Sequence, residues 1–198
     1  MPFDFKLDPF KNLAEEIRSA EASGVNEPTA MSLATANKNG LPDVRAILFK
    51  GVVRGGLSFY TNYDSPKSLE LNENPYASVL FFWAAIHEQI RISGRVDKLT
   101  RAESEAYFLS RPRLSQIGAW ASRQSQEIPT FEYLEEQVKI FEAKFSGGNV
   151  PCPPNWGGYR IVPSRFEFWF AREGRLHERY VYDRADVGNE WHRKLMSP

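Results

Sequence analysis

Apolar residues recur at helical spacing near the start of the chain and at alternating spacing after it. The first pattern follows Asp8-Pro9, an N-cap with proline at the first helical position, and predicts a helix over residues 9–22. After a loop, two β-rich segments flank Asn39-Gly40, a dipeptide typical of hairpin turns. The strands predicted in the first half are Thr29–Ala36, Asp43–Lys50, Leu57–Asn62, Tyr76–Trp83 and Gln89–Leu99. This half is therefore predicted to be mostly antiparallel sheet.

Helix signals separate and follow these strands. Ser65 is predicted to cap a helix that starts at Pro66-Lys67, where free backbone N–H groups could hold an anion. Thr100 and Glu103 have the spacing of a capping box. Beyond the helix at Pro66, the predicted helices run from Thr100 to about Ser110, from after Pro112 to about Ala121, and over Thr130–Phe145.

The last quarter of the chain is predicted to return to sheet. Asn149–Trp156 holds three prolines and predicts an extended loop, and Gly174 and Gly188 mark turns. The strands predicted here are Tyr159–Val162, Arg165–Phe170, His177–Asp183 and Glu190–Leu195. Because so many strands must pair or close to hide their edges, we expect one domain over residues 1–198, a mainly β barrel with peripheral helices.

Composition narrows the function classes. The 198 residues contain 25 Lys and Arg and 25 Asp and Glu, so the chain as a whole has no net field to attract nucleic acid or an anionic membrane. Cys152 is the only cysteine and the three histidines are far apart in sequence, which argues against a disulfide and against a metal site. With no long apolar run and no signal peptide pattern, a soluble, cytoplasmic protein is expected.

Several cations stand in unusual positions. Arg45 and Lys50 lie at the two ends of an apolar strand. Either the two cations bind an anionic ligand, or their side chains extend from the strand ends into water. Tyr107, Arg111 and Ser115 follow one another at intervals of four, and their phenol, guanidinium and hydroxyl suit a phosphate monoester, although such residues also occur on solvated helix faces.

A second group follows Gly174. Arg175, His177 and Arg179 alternate along a predicted strand, which would place them on one face that needs an acidic ligand or partner. Trp169 is either core or a wall against an aromatic ring. The remaining polar candidates for reading a ring are Gln89, Gln124 and Ser125.

Taken together, these segments resemble the signature blocks of the pyridoxine/pyridoxamine 5′-phosphate oxidase family. The blocks occur in the family's order and cover nearly the whole chain from about Asp8. They are R-A-I-L-F-K (45–50), F-Y-T-N (59–62), S-R-P-R-L-S-Q-I-G-A-W (110–120), S-R-Q-S (122–125), W-G-G-Y-R (156–160), F-E-F-W (166–169) and R-L-H-E-R (175–179).

The resemblance implies an FMN-binding split β-barrel that forms a homodimer with FMN at the subunit interface. It implies oxidation of pyridoxamine or pyridoxine 5′-phosphate to pyridoxal 5′-phosphate, with O₂ as acceptor and H₂O₂ as product. The implied FMN contacts are Arg45, Ala46, Ile47, Leu48, Phe49, Lys50, Tyr60, Thr61, Lys67, Gln89, Gln124, Ser125, Trp169 and Arg179. The implied substrate contacts are Lys50, Tyr107, Arg111, Ser115, Arg175 and His177, the last two being the implied catalytic residues.

Two departures from the family pattern bear on this expectation. Pro66-Lys67 stands where the family commonly has Arg-Lys, so one charge toward the FMN phosphate is lost, and the helix N-terminus and Arg45 are expected to compensate. The chain also begins too late to supply the N-terminal lid of many members. Two alternatives stay open: a related FMN oxidase acting on another small aromatic of the phenazine-precursor type, and a non-catalytic module that binds FMN or pyridoxal phosphate.

Overall fold

The structure is a computed structural model that describes residues 3–186 and 188–198. Its helices are α1 (Pro9–Ala22), α2 (Pro66–Glu73), α3 (Arg101–Ser110), α4 (Arg113–Ala121) and α5 (Phe131–Lys144). Its strands are β1 (Ala30–Ala36), β2 (Pro42–Leu48), β3 (Val52–Val53), β4 (Gly56–Asn62), β5 (Tyr76–Trp83), β6 (Glu88–Lys98), β7 (Trp156–Phe170), β8 (Glu178–Asp183) and β9 (His192–Leu195). The predicted succession of a helix, a mostly antiparallel first half, further helices and a return to sheet is confirmed.

Local signals account for most element boundaries. The Asp8 side chain accepts a hydrogen bond from the Phe10 N–H and so caps α1. Thr100 and Glu103 form the predicted capping box at the start of α3. Ser65 occupies the predicted N-cap position of α2, but its side chain makes no capping hydrogen bond to the helix backbone, because its hydroxyl donates to the Asn62 carbonyl.

All strands join one antiparallel sheet in the order β2-β1-β5-β6-β7-β4-β3, and β8 and β9 extend it from β7. The long strand β7 pairs with β6 along its length, with β4 through its first half and with β8 through its second half. The prediction of two strands in place of β7 is wrong, because the chain passes Pro163 and Ser164 without leaving the sheet.

A bulge makes this continuity possible. Ser93 pairs with Arg165 and Gly94 with Pro163, so Ser164 has no partner on β6. A Cβ at position 94 would overlap the carbonyl oxygen of Val162, so only glycine fits at this close approach. The glycine that the alternating strand pattern ignores is therefore what allows β6 and β7 to pair through the bend.

Side chains from α1, α2 and the strands β1 and β4–β8 meet in one hydrophobic core, so the sheet curls around it. A smaller cluster lies beside it, where α3 and α4 pack near the start of β7; its buried residues are Phe108, Ile117, Val150 and Trp156. One side of α5, with Val138 and Phe141, is partly buried and joins this cluster at its edge. No helix within the described residues is long and apolar enough to cross a membrane.

Candidate active site

A cleft of about 1000 Å³ opens between β2, β4 and the helices α2–α4. Most residues predicted to contact FMN or the substrate phosphate line it. Those present are Arg45, Ala46, Ile47, Leu48, Lys50, Tyr60, Thr61, Lys67, Tyr107, Arg111, Ser115, Gln124 and Ser125. Segments separated by up to eighty positions in the sequence therefore meet in one place, as a site for a sizeable ligand requires.

Lys67 is the most enclosed cation of the cleft. It is 7% exposed, and its Nζ donates to Thr61 Oγ1 at 3.3 Å, Ser65 Oγ at 3.2 Å and Gln124 Oε1 at 3.4 Å. Burial and the neighbouring charge of Arg45 lower the pKa of Lys67. Because its contacts are neutral oxygens and no ion pair to it occurs among residues 3–186 and 188–198, its charge is available to an anion.

Arg45 is placed differently. Its guanidinium contacts Asp43 Oδ2 at 2.6 Å and Glu70 Oε2 at 3.4 Å, and it also bonds the Thr35 hydroxyl. These ion pairs offset part of its charge, and the expectation that Arg45 compensates for the missing arginine before Lys67 stays a prediction.

An aromatic stack forms the wall near α3. The rings of Tyr60 and Tyr107 are stacked with centroids 3.8 Å apart, and Trp156 lies parallel to both. Gly158 makes room for Tyr60, because a Cβ there would approach the Tyr60 ring to 2.7 Å. Arg111 lies over the Trp156 ring, with Cζ 4.7 Å from the centroid.

Arg111 carries an unpaired polar atom. Its Nη1 is buried and has no hydrogen-bond partner, and burial lowers the pKa of the guanidinium. An orphaned buried donor on a cation is costly in an isolated protein and is satisfied by an anionic oxygen. Together with Lys50, Tyr107 and Ser115 on the same cleft, it has the chemistry of a phosphate site.

Six of the predicted site residues do not line this cleft. Phe49 turns toward the core, where its ring meets Phe81 at 5.9 Å. The other five form a second group on β6–β8 and the turn before β8. They are Gln89, Trp169, Arg175, His177 and Arg179.

The predicted alternation of this second group is wrong in part. Glu173–Arg175 form a 3-10 turn and β8 begins only at Glu178, so Arg175 and His177 precede the strand. Arg175 is exposed and has φ 63°, a left-handed backbone conformation that is uncommon for residues other than glycine. His177 Nδ1 accepts a hydrogen bond from the Arg172 N–H, and its ring lies 4.6 Å from that of Trp169.

Arg179 is held by a carboxylate that the sequence did not single out. Glu167 is 2% exposed, and its Oε1 accepts from Arg179 Nε at 2.8 Å and lies 2.7 Å from Nη2. Arg165 and Arg91 contact its other oxygen at 3.4 and 3.7 Å. The only sequence signal for Glu167 was its position two residues before Trp169, which places both side chains on one face of a strand.

The two groups share one face of the sheet. Residues directly opposite in neighbouring strands point to the same side, and Phe82 pairs with Gln89, which pairs with Trp169, which pairs with Arg179. Ala46 and Leu48 of β2 point to the same face, because β1 pairs with both β2 and β5 in a register that places these side chains on that side. This face includes Leu48 and Phe82, which are 38% and 60% exposed. The two groups are thus separate within one chain but open onto one partly apolar surface.

The cleft also contains residues that were not predicted to contact a ligand. The most informative is Trp156, since it contacts Arg111 and both stacked tyrosines, and its W-G-G-Y-R block was the available signal. The other additions are Asp43, Asn62, Pro66, Ser110, Pro112, Gly118, Ala119 and Ser122.

Comparison with known proteins gives a consistent result. Residues 17–144 match the family model described as pyridoxamine 5′-phosphate oxidase, and residues 156–198 match that of the pyridoxine 5′-phosphate oxidase C-terminal dimerisation region. A pyridoxine/pyridoxamine 5′-phosphate oxidase of Bdellovibrio bacteriovorus is 46% identical over 99% of this chain and 100% of its own. One of Caulobacter vibrioides is 48% identical over 96% of this chain and 85% of its own.

Solved structures agree. The structure of PhzG from Burkholderia lata, in complex with tetrahydrophenazine-1-carboxylic acid, has a TM-score of 0.90 and 34% identity over 96% of this chain and 93% of that one. A pyridoxamine 5′-phosphate oxidase-related, FMN-binding protein of Nostoc punctiforme shares the fold with a TM-score of 0.76 at 18% identity, covering 98% of this chain and 100% of that one. The expected fold class, a split β-barrel with peripheral helices, is confirmed. From its sequence matches along nearly its whole length and from the architecture that carries them, the chain belongs to the pyridoxamine 5′-phosphate oxidase family.

Proposed function

We propose that this protein is an FMN-dependent oxidase that converts pyridoxamine or pyridoxine 5′-phosphate to pyridoxal 5′-phosphate, consuming O₂ and releasing H₂O₂. The observation that carries the proposal is the meeting of Lys50, Tyr107, Arg111 and Ser115 with Lys67 in one cleft. Lys67 belongs to α2, whereas Tyr107 belongs to α3. The cleft therefore offers two separate sets of anion-binding groups, one for each phosphate of a cofactor and substrate pair.

The residues present fit FMN. The buried Lys67, with neutral contacts only, supplies a charge for the phosphate at the start of α2. Gln124 and Ser125 offer amide and hydroxyl groups for the polar ring atoms, and Ser125 has the strained φ of 65°. FMN, when bound, supplies the two-electron acceptor that the protein's own side chains lack.

The chain's own residues then bind and orient the substrate. Arg111 and Lys50 would neutralise the substrate phosphate while Tyr107 and Ser115 donate hydroxyl hydrogens to it. Because the phosphate is bound away from the reacting carbon, its contacts would fix the position of that carbon in the cleft. The stacked ring of Tyr60 supports Tyr107 from behind.

The second group would complete the cleft of a partner subunit in a homodimer. Trp169, Arg175, His177 and Arg179 all lie in the region that matches the dimerisation model. Because His177 Nδ1 accepts from Arg172 N–H, the neutral ring carries its proton on Nε2 and can donate it to a polar substituent of the substrate. Arg175, exposed and unhindered, would lie against the substrate ring and stabilise negative charge that develops on it.

A second candidate function has one observation in its favour. The PhzG structure, at 34% identity, was solved with tetrahydrophenazine-1-carboxylic acid, a ligand that carries a carboxyl group. The same side chains of Lys50 and Arg111 could hold a carboxylate. A phenazine precursor is therefore the competing substrate.

The deciding experiment is anaerobic titration of the flavin-loaded protein with pyridoxamine 5′-phosphate, pyridoxine 5′-phosphate and the tetrahydrophenazine carboxylate. We expect the phosphorylated vitamers to bleach the yellow absorption and air to restore it with release of H₂O₂. Bleaching by the phenazine precursor alone would support the second candidate. Binding of the vitamers without bleaching would show a non-catalytic module, and a protein that takes up no FMN would overturn the proposal.

A further inference from the structure

Arg111 differs from Arg45, Arg101 and Arg160 in what holds its guanidinium. Arg45, Arg101 and Arg160 each contact a carboxylate within 3.5 Å. Within residues 3–186 and 188–198, no ion pair to Arg111 occurs, and one of its nitrogens is buried without a hydrogen-bond partner. The guanidinium is nevertheless packed in place, so something other than an acid orders it.

Aromatic rings supply that order. The Arg111 Cζ lies 4.7 Å from the centroid of Trp156 and 5.6 Å from that of Phe108. Trp156 is itself fixed: it is 6% exposed, it begins β7 opposite Asn62, and its carbonyl accepts from Arg101 Nη1 at 3.2 Å. The Phe108 ring meets the indole edge-on at 5.1 Å.

The difference between the two kinds of partner is electrostatic. A carboxylate beside Arg111 would fix its position but would cancel the charge that a dianionic ligand needs. The face of an indole attracts a guanidinium through its quadrupole and carries no net charge. Stacking therefore fixes the fork of Arg111 while leaving its full positive charge toward the cleft.

We propose that Trp156 is the positioning residue that makes this cleft selective for phosphorylated substrates, by holding Arg111 charged and oriented through its ring face. The inference rests on the proposed function in that it takes Arg111 to bind the substrate phosphate. Trp156 acts through Arg111 and touches neither reacting atom. The stack continues through Tyr60 to Tyr107, so one aromatic column orders two of the four phosphate-binding side chains.

The test compares Trp156→Leu and Trp156→Phe with Trp120→Leu. Trp120 packs against the same small apolar cluster but does not contact Arg111, so its replacement controls for lost packing. Each variant is loaded with FMN and assayed with pyridoxamine 5′-phosphate and with pyridoxamine. Inorganic phosphate binding is measured separately by equilibrium dialysis.

We expect Trp156→Leu to raise the KM for pyridoxamine 5′-phosphate and to weaken phosphate binding about tenfold, equal to about 1.4 kcal/mol, while the kcat/KM for pyridoxamine changes little. Trp156→Phe retains a smaller ring face and should lie between wild type and Trp156→Leu. Trp120→Leu should leave phosphate binding at the wild-type value. If Trp156→Leu fails to fold, the graded loss in Trp156→Phe still decides the matter.

Two results would overturn the inference: unchanged phosphate binding in both Trp156 variants, or equal losses with pyridoxamine 5′-phosphate and pyridoxamine. Arg111→Lys keeps the charge but not the planar fork, so Trp156→Phe should weaken phosphate binding much less in an Arg111→Lys background than in the wild type. Fully additive losses in the double variant would also contradict the inference. Because the dialysis requires no turnover, failure of the oxidase proposal and failure of this inference are distinguishable. If phosphate binding depends on Trp156 but the wild-type protein oxidises neither vitamer, the oxidase proposal fails and this inference stands.

Discussion

At the scale of single residues, the partly or fully buried cations have three kinds of surroundings. Carboxylates contact Arg45, neutral oxygens surround Lys67, and an indole covers Arg111. The last two arrangements leave the charges of Lys67 and Arg111 available to a ligand, whereas carboxylates offset the charge of Arg45. The same distinction applies to acids: Glu167 is buried among three arginines, whereas Glu88 has a buried oxygen with no partner.

Glu16 provides a residue-scale prediction about pH. Burial, followed by the nearby Glu88 carboxylate, raises the pKa of Glu16 from 4.5 to about 7. Between these two values the folded state binds more protons than the unfolded state, so the contribution of Glu16 to stability falls as pH rises through this window. Above about pH 7 the ionised side chain destabilises the fold in full.

Glu16→Gln should therefore raise the free energy of unfolding at pH 8 by about 1 kcal/mol, a value reduced for solvent screening of a half-exposed group, and should change it little at pH 4.5. Urea denaturation at both pH values measures the difference. Glu21→Gln, on an exposed position of the same helix, is the control and should show no such pH dependence. A Glu16→Gln variant that gains no stability at pH 8 would show that this carboxyl is not penalised in the fold.

At the scale of elements, β7 is the strand that joins the two halves of the fold. Its first half carries Trp156 into the cleft beside β4, and its second half carries Trp169 beside β8. The bulge opposite Gly94 allows the single strand β7 to continue from the half that pairs with β4 into the half that pairs with β8. Local sequence could not show this, because Pro163-Ser164 has the composition of a turn and only pairing with β6 keeps it in the sheet.

Gly94→Ala tests this arrangement. The added methyl must displace the Val162 carbonyl, which is backbone and cannot move without breaking the pairing of β6 and β7, so we expect a loss of about 2 kcal/mol or more in the free energy of unfolding. Gly148→Ala, at a position with open space and no positive φ, is the matched control and should change stability by less than about 0.5 kcal/mol. Equal denaturation midpoints for the two variants would contradict the bulge as described.

At the scale of the whole molecule, the candidate site divides between two places. The cleft and the second group lie on a shared sheet face with exposed apolar side chains. In the proposed homodimer, a two-fold axis through this face would bring the cleft of one subunit to the second group of the other. Under this proposal, neither group alone forms a complete oxidase site.

Mixing two inactive variants tests this composite site. Arg111→Ala damages the cleft and Arg175→Ala damages the second group, so each homodimer should lose most of its activity. After unfolding and refolding together, half of the dimers are hybrids in which one of the two sites is intact, and we expect about a quarter of wild-type activity to return. Arg175→Ala alone should retain FMN, since Arg175 would contact substrate rather than cofactor.

The control refolds each variant separately and combines the two afterwards. Steady-state oxidation of pyridoxamine 5′-phosphate measures recovery. If the mixed preparation stays as inactive as its components, while size-exclusion chromatography shows dimers, the two groups do not form a shared site.

The sequence by itself determined most of the elements, the family and the chemical types of the site. Caps such as Asp8 and Thr100, the Asn39-Gly40 turn and alternation in β5 and β6 are local effects, so reading neighbours along the chain was sufficient. Motif spacing likewise named Lys50, Tyr107, Arg111 and Ser115, which the fold brings to one cleft.

Only the tertiary structure decided how charge and packing are distributed among those residues. That Arg45 is paired with carboxylates, that Arg111 lies on Trp156, that Glu167 holds Arg179 and that Arg175 and His177 precede β8 all depend on contacts between distant segments. The physical reason is that burial and pairing set the energy of a charge, and both are properties of the folded chain rather than of sequence spacing.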